Sequence, residues 1–453
     1  MSSRALILLF FLFPGVADVA GVADAAGVAD VAPMPRRPYV QNVTPTALSL
    51  LWETARTETV TAGLRSLSSS AAWKQASGPA RHHEVRFEGL VPSSSYEYTV
   101  SSAAGTFRAV VRTAPEGDQP FTFLVYGDTR NGHGVHRTLA QVMAFDDADF
   151  VIHTGDFVSD GLRNDKWNQF LEYSWPLMKR LPLYPTLGNH ENAFESGAEN
   201  YRQIFSVPEN SPYPEMVYAF TWGNSRFFVI DSNKPFIGAP QTAWLRTQLR
   251  ETALDPRIRH LFVSVHHSPY TSGPHGPNQE LLDSGLVDDM RRYGVDMTFS
   301  AHDHLYERGL VEGLTYIITA GGGAPIYYVK ENHPTSLVTE PVHHYCRVHV
   351  DGDRVELSVW RMDGSLLDEV QLIKKGSSRH SAPGIEVVNA LPRPARRAPE
   401  PRDPSPGPAR PGPGAAERRS PVSLYFGLVV IFIGLAGCLF LLFFRRRRRR
   451  PTT

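Results

Sequence analysis

The sequence predicts an α/β domain preceded by a small all-β sandwich, with one membrane-spanning helix near the C-terminus. Three observations carry this prediction. Between Gln119 and Lys375, short apolar runs alternate with helical stretches, and five of the runs end in loops bearing Asp, Asn or His. Strands alternating with helices make a largely parallel sheet, and the strand ends of such a sheet carry its chemistry. From Pro38 to Pro115 only short strand-like runs occur, separated by turn residues, as in a small sandwich. Val422 to Phe444 is a run of 23 residues without a charge, long enough to cross a bilayer.

Taken in order, residues 1–25 read as a secretory signal peptide. Arg4 precedes an apolar core from Ala5 to Phe13, and Ala23-Asp24-Ala25 fits a small-residue cleavage site. Residues 26–37 are a low-complexity spacer. Within residues 38–115, strands are expected at Ala47–Trp52, Arg81–Leu90, Tyr96–Val100 and Thr106–Arg112. The stretch Leu90-Val-Pro-Ser-Ser-Ser-Tyr96 is similar to the corner of fibronectin type III domains, in which a tyrosine hydroxyl bonds back to the chain. This part is expected to act as a spacer, with a wall of the site as the alternative.

Residues 119–375 are expected to hold helices at Val135–Phe145, Trp167–Lys179 and Gln241–Thr252. A hairpin is expected over Tyr218–Ile230, turning at Gly223-Asn224, and a second around Asp351-Gly352. Residues 376–421 collapse to Pro, Arg, Ala, Gly and Ser, which makes a disordered or polyproline-like linker. The apolar run 422–444 and the tail 445–453 follow, the tail opening with six arginines, Arg445 to Arg450. Arginines beside a span stay cytoplasmic, so the α/β domain is expected outside the cytoplasm, membrane-anchored, at the periplasmic or cell-surface side. A processed C-terminal sorting signal is the alternative.

The 453 residues suffice for two or three domains, and the formal net charge is zero. No bulk basic field points to nucleic acid; nucleic-acid binding is expected only as nucleotide substrates. Cys346 and Cys438 do not suggest an intrachain disulfide, since the second lies in the apolar run.

The chemistry lies in five boxes: Gly127-Asp128-Thr129-Arg130, Gly155-Asp156, Gly188-Asn189-His190-Glu191, Val263-Ser-Val-His266, and Ala301-His302-Asp303-His304. They follow the apolar runs FTFLVY, DFVIHT, LPLYPTL, HLFVSV and VDMTFS. Oxygen and imidazole donors without thiolate suit Fe, Zn, Mn or Mg. One Gly-Asp pair is an ordinary turn; five boxes in order after strands are not. The series resembles the metallophosphoesterase (calcineurin-like) signature, in its purple-acid-phosphatase-like branch, over about Pro38 to Leu372. That branch often carries a β domain before the catalytic one.

The resemblance implies a four-layer αββα sandwich, two metal ions and hydrolysis of phosphate esters. It implies Asp156 as the bridging ligand, Asp128 and His304 completing the first metal, and Asn189, His266 and His302 completing the second. His266 and His267 are adjacent, and a strand points neighbours to opposite faces, so one ligand is expected, with spacing favouring His266. His190 matches a histidine that contacts phosphate or protonates the leaving group, held by its acidic neighbour Glu191. His275 matches a substrate-contacting histidine. Two departures mark the first metal. Ser159 stands where purple acid phosphatases have a metal-bound tyrosine, which implies a colourless enzyme. Arg130 stands where many relatives have a histidine ligand, and it either contacts a phosphate oxygen or pairs with an acid. A monoesterase is favoured. A phosphodiesterase or nucleotidase on the same scaffold, and a non-catalytic surface-binding protein, are the alternatives.

Overall fold

The structure, a computed structural model, describes residues 34–191, 198–233, 238–374 and 385–389. Two antiparallel sheets come first among the described residues. One pairs β1 (Arg36–Gln41), β2 (Ala47–Glu58) and β5 (Ala80–Glu88); the other orders β4 (Ala72–Ala76), β3 (Thr61–Ser66), β6 (Ser95–Ser102) and β7 (Gly105–Arg112). Inward residues of both sheets, among them Leu50, Trp52, Leu64, Phe87, Tyr98 and Val100, form one core. Tyr96 closes the corner, its hydroxyl accepting the Val91 N–H at 2.8 Å.

Two seven-stranded sheets follow. The first runs in the order β10 (Leu183–Pro185), β9 (Phe150–His153), β8 (Phe121–Tyr126), β18 (His344–Asp351), β19 (Arg354–Arg361), β20 (Leu366–Lys374) and β21 (Ile385–Asn389). The second orders β11 (Tyr218–Trp222), β12 (Ser225–Ile230), β13 (His260–His267), β14 (Met297–Ala301), β16 (Leu314–Thr319), β15 (Tyr306–Val311) and β17 (Ser336–Glu340). In each sheet the strands that lead to the site are parallel: β8, β9 and β10 in one, β12, β13, β14 and β16 in the other. Their ends therefore converge on one edge.

Alternation explains the layering. Phe123 and Val125 of β8 face the other sheet, where Phe227, Phe262 and Phe299 meet them; the Phe123 and Phe227 rings cross at 5.2 Å between centroids. Leu124 and Tyr126 point outward to α1 (His133–Met143), α2 (Asn164–Met178) and α3 (Glu199–Ile204). On the far side Phe228, Val263 and Val265 meet α4 (Ala239–Leu254), α5 (Gln279–Asp283) and α6 (Leu286–Arg292). The layers are thus helix, sheet, sheet, helix. Strands covered on both faces read as unbroken apolar runs, which is why FTFLVY and HLFVSV show no alternation.

The expected architecture needs one correction. Among the described residues no helix is long and apolar enough to cross a membrane. The longest described helix, α4, has 16 residues and carries charges, whereas a span needs about 20 apolar residues. Among the described residues the fold class is therefore the α/β sandwich with its N-terminal β domain and no membrane helix, and the expected membrane contact through one is withdrawn. Residues 1–33, the linker 376–384 and 390–421, the run 422–444 and the arginine tail lie outside the described residues.

Candidate metal centre

All six expected ligands lie at the shared edge. Asp128 follows β8, Asp156 follows β9, Asn189 follows β10, His266 ends β13, and His302 and His304 follow β14. The backbone is bent to bring them together: Asp128, Asp156 and His302 have φ of 55°, 57° and 70°, a left-handed conformation costly for residues with a Cβ. Gly188 makes room, since a Cβ there would collide with the Asp156 backbone and carboxylate.

Donor atoms converge in two overlapping sets, Asp128 with Asp156 and His266, and His266 with His267 and His302, each within 4.8 Å. The hydrogen bonds fix which atoms face inward. His266 Nδ1 lies 2.9 Å from the Thr154 carbonyl oxygen, which only accepts, so Nδ1 carries the proton. The Nε2 lone pair then faces Asn189 Oδ1 at 3.1 Å and Asp156 Oδ1 at 3.4 Å. Likewise His304 donates Nδ1–H to the Pro325 carbonyl at 2.7 Å, leaving Nε2 3.1 Å from Asp128 Oδ1. Asp128 Oδ1 is buried and has no hydrogen-bond partner. Lone pairs facing lone pairs, with a buried orphaned carboxylate oxygen, are repulsive until a cation sits among them. The residues present fit a metal.

Charge follows burial. Burial pushes the Asp128 carboxyl up, partly offset by His304. Burial, then neighbouring imidazoles, pushes His266 and His302 down. Neutral imidazole is the form that binds metal.

Two expectations change, and for Arg130 one of the two expected alternatives is the one found. First, His266 and His267 do not point to opposite faces. The pairing of β13 with β14 slips by one residue between Ser264 and His267, and this bulge turns both rings to the site, 5.2 and 4.3 Å from the His302 ring. His267 is tied to Ser232, whose Oγ lies 2.8 Å from Nδ1. Second, Glu191 does not hold His190. Its carboxylate accepts N–H groups of Asp156, Val158 and Gly188 at 2.8, 3.2 and 3.0 Å, clamping two ligand loops together, while His190 Nδ1 donates to the Ser159 carbonyl at 2.9 Å. Arg130 pairs with an acid: Nε donates to Asp156 Oδ2 at 3.1 Å and Nη2 lies 3.2 Å from His304 Nε2.

A cleft of about 480 Å³ opens beside the second set, lined by Asn189, His267, His275, Glu280, His302 and Asp303 among others. No residue of the β domain lines it. His275 stands at its wall with Nδ1 2.7 Å from Asp303 Oδ1; Thr271 Oγ donates to Asp303 Oδ2 at 2.7 Å. Asp303, Ser232 and Tyr327, whose ring stacks 3.9 Å from His304, were missed by sequence reasoning. Asp303 alone had a signal, lying between two candidate ligands.

Comparisons with known proteins bear on this arrangement. Residues 121–306 match the family model of the calcineurin-like phosphoesterase. The chain is 23% identical over 267 residues to an uncharacterized protein of Mycobacterium tuberculosis, covering 50% of each; it thus spans about half the length of that relative. It is 25% identical to acid phosphatase type 7 of Mus musculus, covering 64% of this chain and 77% of that one. It is also 25% identical to purple acid phosphatase 7 of Arabidopsis thaliana, covering 58% and 89%. In fold it is similar to a purple acid phosphatase from yellow lupin seeds, with TM-score 0.63, 17% identity and 74% and 73% coverage. It is similar also to PhoD, with TM-score 0.61, 14% identity and 80% and 93% coverage.

Proposed function

With residues 121–306 a calcineurin-like phosphoesterase domain of the purple-acid-phosphatase-like kind, we propose that this chain hydrolyses phosphate monoesters at a centre of two metal ions. The observation that carries the proposal is the convergence of carboxylate and imidazole groups around the orphaned, buried Asp128 Oδ1. The first position would be held by Asp128, Asp156 and His304, the second by Asp156, Asn189, His266 and His302. Bound there, Fe, Zn, Mn or Mg supplies positive charge against the phosphate oxygens and acidifies bound water.

The chain's own groups do the rest. His275 is oriented by Asp303 through its Nδ1–H, so Nε2 faces the cleft and, as imidazolium, hands a proton to the departing alkoxide. Asp303 stabilises that imidazolium. His190, fixed by the Ser159 carbonyl, presents Nε2 3.8 Å from Asp156 Oδ2, where, with both ring nitrogens protonated, its Nε2–H donates to a phosphate oxygen. The relatives' names, acid phosphatase type 7 and purple acid phosphatase 7, support the monoester reading.

A panel of aryl monophosphate, aryl phosphodiester and nucleotides, assayed on the full chain with and without chelator, tests this. Chelator-sensitive turnover of the monoester above the diester is expected. Turnover of none of them by metal-loaded protein would leave a binding protein instead. Export is part of the proposal, supported by the composition of residues 1–25. Its test is the N-terminal sequence of the mature chain recovered outside the cytoplasm, which is expected to begin beyond Ala25.

A further inference from the structure

Arg130 stands inside the first cation position. Its Nε donates to Asp156 Oδ2 at 3.1 Å, and its Nη2 lies 3.2 Å from His304 Nε2. These two atoms are the lone pairs that a cation in the first position would need. Among the described residues the second position has no such competitor: Asn189 Oδ1, Asp156 Oδ1 and the three imidazoles His266, His267 and His302 face one another, and no described lysine or arginine lines their cleft. The guanidinium is part-buried, only 14% exposed, and faces a small recess shared with His133 and Lys166. Its planar fork spans a carboxylate oxygen and an imidazole nitrogen together, which a point charge does not.

We infer that Arg130 is a built-in competitor for the first metal position, so that the centre loads its two metals in order, the second position first. The inference rests on the two-metal reading above. The geometry has a direct consequence. For Asp156 Oδ2 and His304 Nε2 to hold a cation in the first position, the Arg130 guanidinium would have to leave both, and that work would weaken the binding there. The freed guanidinium is then one side-chain swing from the position it left, placed to receive a phosphate oxygen. Among the described residues no comparable displacement would oppose the second metal, whose donors face an open cleft.

The test is titration of metal-free full-length protein with Mn²⁺, followed by calorimetry and electron paramagnetic resonance. Wild type is expected to show two separated binding events. The first equivalent gives the spectrum of an isolated ion, and a spin-coupled pair appears only with the second. In Arg130→Gln the weaker event tightens about tenfold, the scale typical of a group beside a ligand, and the coupled spectrum appears earlier. Arg130→Lys, which keeps the charge and loses the fork, provides a second folded variant in which the weaker event also tightens. Asn189→Ala abolishes the tight event. Two equal events in wild type, or no tightening in either arginine variant, would overturn the competition and leave the two-metal reading standing. Absence of any Mn²⁺ binding would overturn both.

Discussion

At the scale of single residues, the acid–base work rests on pairs that the sequence separates widely. Asp303→Asn keeps a hydrogen bond to His275 and removes the charge that stabilises its imidazolium. The expected result is a loss of about 100-fold in kcat with little change in KM, larger for alkyl than for nitrophenyl phosphates, because only the poor leaving group needs the proton. An equal loss on both substrates would remove His275 from the proton-transfer role. Glu191 acts through others, clamping the Asp156 and Gly188 loops by three N–H bonds. Glu191→Gln is expected to weaken metal binding by about 10- to 100-fold, read by competition with a chromophoric chelator. Ser159 offers its carbonyl to His190 and has no phenolate to give, so metal-loaded protein is expected to show no visible phenolate-to-iron band. The boxes made these residue types legible. Which partner each would take was not, because adjacency in sequence suggested Glu191 for His190 and only the folded loops placed Ser159 there.

At the scale of elements, two contacts pin the layers. Arg308 of β15 donates Nε to Asp368 Oδ2 of β20 at 2.6 Å, and the Tyr306 hydroxyl donates to the same oxygen at 2.6 Å. This buried pair ties one sheet to the other. Asp368→Ala takes the carboxylate away from a buried guanidinium and a buried tyrosine hydroxyl and is expected to cost about 3–5 kcal/mol, measurable by urea denaturation. Helices α1 and α2 meet at His136, whose Nε2 lies 3.0 Å from Ser174 Oγ and whose ring stacks on Phe170 at 5.2 Å. Burial pushes its imidazole down to about 3. A depressed histidine means that the unfolded chain binds the proton first. Stability is therefore lost as pH falls from the unfolded value near 6.5 toward 3, and His136→Phe is expected to flatten that part of the stability–pH curve. The apolar runs revealed the strands of both sheets near the site. The short β3 and β4 and the edge strand β17 escaped, being partly exposed and weakly patterned. The bulge in β13 escaped because nothing in Val263–His267 marks a one-residue slip.

At the scale of the molecule, the β domain is more than a spacer in the described structure. Tyr39 and Tyr98 donate their hydroxyls to the Ile204 and Lys179 carbonyls at 2.7 Å each, Trp175 donates Nε1 to the Pro38 carbonyl at 2.9 Å, and Tyr184 donates to the Val43 carbonyl at 2.8 Å. Its core is continuous with that between the two large sheets. Removing residues 1–115 is expected to lower the melting temperature of the remainder on the order of 10 °C, at about 1 kcal/mol per lost buried bond, and to leave the cleft's lining unchanged. A scanning-calorimetry comparison checks this.

By itself the sequence determined the strand runs, the order of the five boxes and the donor types, because burial on both faces of a sheet and oxygen or imidazole ligation are written in local composition. Only the tertiary structure decided that His266 and His267 share a face, that Arg130 lies across Asp156 and His304, and that Asp303 holds His275. Each depends on a backbone bulge or on residues tens to hundreds apart meeting at one edge. Such meetings are set by how the two sheets pack, and no local pattern encodes them.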